Sequence, residues 1–216
     1  MTLILGVDEA GRGPVIGSLF MAGVLVEEYK IKELEKIGVK DSKLLTHKDR
    51  IELAKKIKKI TKDYVVTEVK PKEIDEAVDG DNSLNLNWLE AEHIAKIINK
   101  LNPNKTIIDA PSTNPEKFKE YVKDKLKNKN IKLIAEHKAD LKFPSVSAAS
   151  ILAKVAREEN VEKIEKQVKE SIGSGYPSNK ICQEFLKNNY KKYPEIFRKS
   201  WATYKKIAGQ KNLTDF

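Results

Sequence analysis

The sequence predicts an α/β fold: a mixed five-stranded sheet flanked by helices, with a small helical extension at the C-terminal end. Three observations predict it. Apolar runs such as 3–7 and 106–108 are too short for helices and lack polar alternation, as strands covered on both faces do. The later runs are separated by stretches with apolar residues at helical spacing, which favours parallel addition of strands. Gly173-Ser174-Gly175-Tyr176-Pro177 then interrupts the last long helical pattern, and a lysine-rich helical stretch follows.

The elements follow in order. Leu3–Val7 is strand one, and Ser18–Val26, apolar and rich in β-branched residues, is strand two. The glycine-rich stretch Gly11–Gly17 joins them tightly, so the two should pair antiparallel. Val39-Lys40-Asp41-Ser42-Lys43 is a polar loop, and Thr46 caps a helix whose apolar stripe is Leu53, Ile57 and Ile60. Tyr64–Val69 is strand three, stopped by Pro71, and Asp79–Ser83 is a turn cluster. The first three strands are expected as an antiparallel meander. Ala91, Ile94, Ala95, Ile98 and Leu101 mark a helix, and Thr106–Asp109 a short buried strand. Phe118, Tyr121, Val122 and Leu126 mark the next helix, Ile131–Ala135 strand five, and Lys138-Ala139-Asp140 a loop. A helix from Ser145 continues through Val161, Ile164 and Val168. In the C-terminal part, Phe185, Tyr190, Tyr193, Phe197, Trp201 and Tyr204 are read as helix packing.

Composition narrows the class. At 216 residues the chain fits one domain with an appendage, divided here into 1–172 and 173–216. A single cysteine, Cys182, permits no intrachain disulfide and agrees with a reducing compartment. The first residues lack a basic leader, and the longest uncharged stretch, 13–26, is shorter than the roughly 20 apolar residues of a membrane span. A soluble, cytoplasmic protein is the expectation, with a monomer as the default. The formal charge of +9 points to a polyanionic partner, nucleic acid being the commonest. A lysine-rich solvated surface is the alternative reading of that charge, and the lysines also alternate with glutamates along helices, as surface helices often do.

Four acids stand where strands end or just beyond: Asp8, Glu9, Asp109 and Asp140. In open α/β sheets, sites assemble at the carboxyl ends of strands. Hard oxygen ligands select Mg2+ or Mn2+ over zinc, and the three histidines, His47, His93 and His137, show no paired ligand spacing. Carboxylates around two such ions are the usual equipment for in-line phosphodiester hydrolysis. Acids in solvated loops are the alternative. A geometric tension accompanies Asp8 and Glu9, because neighbours on an unbroken strand point to opposite faces. They share a site only if the strand bends or ends there. Gly11-Arg12-Gly13 follows at once. A plain hairpin turn is one reading of it. A dinucleotide loop is disfavoured, since the spacing is G-x-G-x-x-x-G and Pro14 leads into a strand pattern. In the third reading a nucleic-acid backbone lies against the glycines, with Arg12 on a phosphate.

The segment Gly6-Val7-Asp8-Glu9-Ala10-Gly11-Arg12-Gly13-Pro14-Val15-Ile16-Gly17 resembles the N-terminal signature of ribonuclease HII, the type 2 ribonucleases H. Val39–Lys43, Ile107–Ala110, Lys138–Asp140 leading into Ser147–Lys154, and Gly173–Pro177 match that family in order. Length and the lysine-rich tail look most like the archaeal members. The resemblance implies an RNase H-like fold, endonucleolytic cleavage of RNA in RNA–DNA hybrids, and nicking at ribonucleotides embedded in duplex DNA. Products would carry 3′-hydroxyl and 5′-phosphate ends. It assigns Asp8, Glu9, Asp109 and Asp140 to the metal ions, and Gly11, Arg12 and Gly13 to the 2′-hydroxyl at the RNA–DNA junction. It places Tyr176 against the adjoining deoxyribose, and Lys43, Ser147 and Lys154 on phosphates. A replication clamp partner is not readable from the sequence. The rival classes are a non-catalytic nucleic-acid module, which would need no metal, and a nucleotide-handling enzyme, for which a G-K-[ST] loop is lacking.

Overall fold

The structure is a computed structural model that describes residues 2–40, 45–80 and 84–209. The five strands are β1 (Leu3–Ala10), β2 (Leu19–Glu27), β3 (Asp63–Val69), β4 (Lys105–Asp109) and β5 (Lys132–Glu136), in the sheet order β3-β2-β1-β4-β5. β1 pairs antiparallel with β2, from Leu3↔Glu27 to Ala10↔Phe20. β1 and β4 are parallel, as are β4 and β5. The mixed sheet is therefore as expected, with β1, β2 and β3 neighbours in chain order as in a meander. Two helices, α1 (Ile31–Lys36) and the expected α2 (His47–Ile60), lie in the chain between β2 and β3. α1 has only one buried residue, Leu34, too little to give a readable stripe. Pro71 does not merely stop β3; it opens α3 (Pro71–Asp79), where a missing N–H costs nothing.

Two compact units compose the chain. The first takes in Met1–Ala10, Phe20–Glu68 and Leu86–Ala156. Its sheet is covered on one face by α1, α2 and the start of α7 (Pro144–Val168), through Leu34, Leu53, Ile57, Val146 and Leu152. On the other face lies α4 (Leu86–Leu101), whose Ile97 packs so close to Gly23 that a Cβ there would come within 2.4 Å of it. Trp88 of α4 stacks on Tyr121 of α5 (Pro115–Lys125), with ring centroids 4.5 Å apart. Thr46 caps α2 as anticipated, accepting from the Asp49 N–H at 3.2 Å.

The second unit takes in Gly11–Leu19, Val69–Asn85 and Arg157–Phe216. Its core joins Val15, Ile16, Ile164, Val168, Phe185, Ile196 and Phe197, with α8 (Lys180–Asn189) and α9 (Ala202–Gly209) packed around it. The aromatics read as helix packing are there: Phe185 faces Phe197 at 6.0 Å, and Tyr190 meets Tyr204 edge-on at 6.2 Å. Sequence punctuation at Gly173 separates 1–172 from 173–216, whereas this unit also draws in 11–19, 69–85 and 157–172. The reason is packing: Ile164 and Val168 bury their side chains against residues beyond the break. Among the described residues, no helix is long and apolar enough to cross a membrane.

Candidate active site

Strand register builds the acid cluster. β1 and β4 run parallel with Val7 opposite Ile108, so the next residues, Asp8 and Asp109, stand side by side where that pairing ends. β5 runs parallel to β4, and after it Lys138 takes a left-handed turn (φ 55°) that starts α6 (Ala139–Lys142). Asp140 therefore sits in a helical turn rather than in the expected loop. Ligand atoms of Asp8, Asp109 and Asp140 all lie within 4.8 Å of one another. Glu9 is not in that group. β1 stays paired to β2 through Ala10, so by backbone alternation Glu9 belongs to the strand face of Leu5 and Val7.

The helix above the acids comes close because of Gly6. A Cβ at that position would meet the Ser145 carbonyl carbon at 2.2 Å, so only glycine admits the start of α7 there. Gly6 and Asp8 share a face of β1, and α7 brings Ser150 and Lys154 toward the same carboxyl. Burial pushes Asp8 up to about 7; the Ser150 hydrogen bond opposes the rise, the Asp109 charge adds to it, and the Glu9 N–H and Lys154 charge also hold it down. Asp109 is raised too, first by burial and then by the Asp140 charge, against backbone hydrogen bonds from residues 138–140. Ser147 is buried, and its hydroxyl donates to the Asp140 carbonyl at 2.5 Å and to that of Phe143 at 3.1 Å. That makes it a strap on α6.

Carboxylates gathered this closely repel one another, which a divalent cation relieves. The donor set is all oxygen, the chemistry of Mg2+ or Mn2+, so the residues fit the group.

The second unit holds the glycine loop. Val15 and Ile16 donate to the Gly175 carbonyl at 2.9 and 3.3 Å, and Gly17 donates to that of Ile196 at 2.8 Å. Gly11 needs its missing side chain twice, at φ 87° and because a Cβ would lie 3.1 Å from Arg157 Cγ. Tyr176, 39% exposed, flanks Gly13, where a Cβ would sit 3.1 Å from its ring. The Arg157 guanidinium stands 5.4 Å from the Tyr176 ring centroid, and Arg157 also donates to the Ser174 carbonyl. Arg198, fully buried, donates to three carbonyls: Gly17 at 2.9 Å, Arg12 at 2.8 Å and Gly11 at 2.6 Å.

Comparison with known proteins agrees with this architecture. The family profile of Ribonuclease HII matches residues 5–204. The chain belongs to the ribonuclease HII family. Among curated relatives, the Ribonuclease HII of Thermococcus sibiricus is 44% identical over 98% of this chain and 96% of the relative. That of Pyrococcus furiosus is 45% identical, over 94% and 89% respectively. The crystal structure of ribonuclease H2 from Pyrococcus horikoshii superposes with a TM-score of 0.88 at 43% identity, covering 96% of this chain and 98% of that one. The Archaeoglobus fulgidus protein, solved as a PCNA:RNase HII complex, gives 0.85 at 38% identity, covering 99% and 100%. Membership of the ribonuclease HII family makes the chain a metal-dependent ribonuclease H.

The family-derived residues fall into place unevenly. Asp8, Asp109 and Asp140 come together with Lys154 acting on Asp8; Gly11, Arg12, Gly13 and Tyr176 come together in the other unit. Lys43 lies outside the described residues. Ser150, Arg157 and Arg198 escaped the reading of the sequence. Ser150 could have been found as one helical turn before Lys154, on the same face. Nothing local marks Arg198, whose partners lie about 180 residues away.

Proposed function

We propose that the chain, in addition to the family's ribonuclease activity on RNA–DNA hybrids, nicks duplex DNA at embedded ribonucleotides. The observation that carries the reading is the convergence of Asp8 and Asp109, from β1 and β4, with Asp140 from the helical turn after β5. Their oxygens would hold the divalent cations, with Glu9 as a fourth ligand by resemblance. When bound, a pair of Mg2+ or Mn2+ ions would supply an activated water and neutralise charge growing on the scissile phosphate. In the hydrolysis a water oxygen would bond to phosphorus as the P–O3′ bond breaks. The proton ends on the leaving O3′, giving 3′-hydroxyl and 5′-phosphate ends. Lys154 and Lys43 would steady phosphates.

Backbone groups of Gly11, Arg12 and Gly13 would read the 2′-hydroxyl, the group that separates RNA from DNA. Tyr176, part exposed beside Gly13, would stack on the neighbouring deoxyribose. The lysine-rich residues 173–216 would grip the duplex, supported by the charge of +9. The protein would act in the cytoplasm as a monomer. The complex solved for the Archaeoglobus fulgidus protein supports a PCNA-type clamp as its partner.

The test is Asp8→Asn assayed on a labelled duplex with one ribonucleotide. Loss of a ligand to the catalytic cation forfeits several kcal/mol of transition-state stabilisation, so cleavage should fall about 10³-fold or more. Unchanged turnover, or activity that survives EDTA, overturns the reading.

A further inference from the structure

Arg198 is an expensive residue to bury. A guanidinium removed from water costs several kcal/mol unless its donors are well matched, and an apolar side chain of similar length often packs at lower cost. What a planar fork does and an apolar chain cannot do is fix several acceptors in one plane. Here the acceptors are the Gly11, Arg12 and Gly17 carbonyls, at 2.6, 2.8 and 2.9 Å. Trp201 adds a fourth. Its ring lies 4.9 Å from the Arg198 guanidinium, and its Nε1 donates to the Gly13 carbonyl at 3.0 Å.

Fixing a carbonyl fixes the next amide. No peptide among the described residues is cis, and in a trans peptide the C=O of one residue points opposite to the N–H of the next. Holding Gly11 O on Arg198 thus turns the Arg12 N–H away from Arg198, and holding Arg12 O does the same for the Gly13 N–H. The Gly17 bond offers an internal check. The N–H that it orients, that of Ser18, is found on Asn160 Oδ1 at 3.2 Å. The Gly13 carbonyl needs no such partner donor after it, because Pro14 has no N–H. Two consecutive amides, Arg12 and Gly13, are left aimed by the buried fork.

We infer that Arg198, seconded by Trp201, is a positioning residue that aims the Arg12 and Gly13 amides at the ribose 2′-hydroxyl. The inference rests on the reading of this loop given above. It makes discrimination between ribose and deoxyribose depend on a side chain that itself touches no substrate. Lysine at 198 keeps the charge but offers one ammonium in place of a fork, and cannot hold three carbonyls in that geometry. Trp201→Phe keeps an aromatic ring, smaller than the indole, and removes the Nε1 donor to the Gly13 carbonyl.

The experiment compares kcat/KM on a duplex carrying one ribonucleotide with the inhibition constant of the same duplex made wholly of DNA, in the unmodified protein, Arg198→Lys and Trp201→Phe. The second quantity reports grip on the backbone without the 2′-hydroxyl. Arg198→Lys should lower kcat/KM about tenfold, the worth of one good hydrogen bond, and leave the inhibition constant within about twofold. Trp201→Phe should shift the same quantity in the same direction by less. In Arg198→Ala, added methylguanidinium should restore kcat/KM where tetramethylammonium at equal concentration does not. Equal losses in both constants reduce Arg198 to a structural role and overturn the inference, as do unchanged constants. If Arg198→Lys does not fold, unchanged kcat/KM in Trp201→Phe overturns it. Failure of the unmodified protein to cut the ribonucleotide-bearing duplex overturns instead the reading beneath.

Discussion

Asp8 is placed where its charge is least welcome. With a folded value of about 7 against 3.8 for the free group, folding holds its proton across that interval. Protons bound more tightly by the folded state mean that stability falls as pH rises from about 4 to about 7 and is level above. Asp8→Asn removes that penalty. In metal-free buffer its melting temperature should exceed that of the unmodified protein at pH 8, by about 2–4 °C for each kcal/mol relieved, and the gap should close toward pH 4. A gap that stays constant with pH would contradict the assignment. The same substitution is the one expected to abolish cleavage, so stability and activity part company at one atom. Tyr176 invites a second measurement. Tyr176→Ala should reduce turnover on a single-ribonucleotide duplex about tenfold while affecting a long hybrid less, because only the junction offers a deoxyribose to stack upon. Equal losses on the two substrates would remove that role.

At the scale of elements, the site depends on how nearly α7 approaches β1. The contact is backbone against backbone at Gly6, and no rotamer change can make room for a methyl 2.2 Å from the Ser145 carbonyl carbon. Gly6→Ala should therefore lower the melting temperature by several degrees and reduce cleavage at the same time, since Ser150 and Lys154 move with the helix. Retained activity at a reduced melting temperature would show that α7 does not set the acids. The strands and the long helices were legible because their apolar periodicities are strong: β1, β2, α2, α4 and α7 stand where the pattern puts them. α1 and α3 were not, being short and showing few buried positions apiece. Lys138 misled differently, since a left-handed residue followed by a four-residue helix leaves no periodic trace.

For the whole molecule, the charge of +9 sets the terms of binding. It is the excess left after surface pairs such as Lys55–Glu52 at 2.7 Å and Lys166–Glu162 at 4.0 Å have cancelled, pairs that are each worth little in water. If the remainder neutralises about five phosphates, raising salt from about 50 to 200 mM should weaken duplex binding about 10²–10³-fold. A flat salt response would deny the basic surface any part in holding substrate. Of the candidate site, Asp8 and Asp109 were readable because strand ends are readable, Asp140 only as an acid shortly beyond one, and register then completed what pattern began. Glu9 keeps the tension that adjacency raised: β1 stays paired in an unbroken ladder through Ala10, so Asp8 and Glu9 start from opposite faces of the strand, and a place for Glu9 beside the cations rests on the family resemblance. That ladder also acts as a ruler. Asp8 and Asp109 follow paired residues on neighbouring parallel strands, and strands lie about 4.8 Å apart wherever backbone hydrogen bonds join them. The spacing of Asp8 and Asp109 is thereby inherited from main-chain geometry, and side chains elsewhere can drift without altering its gauge.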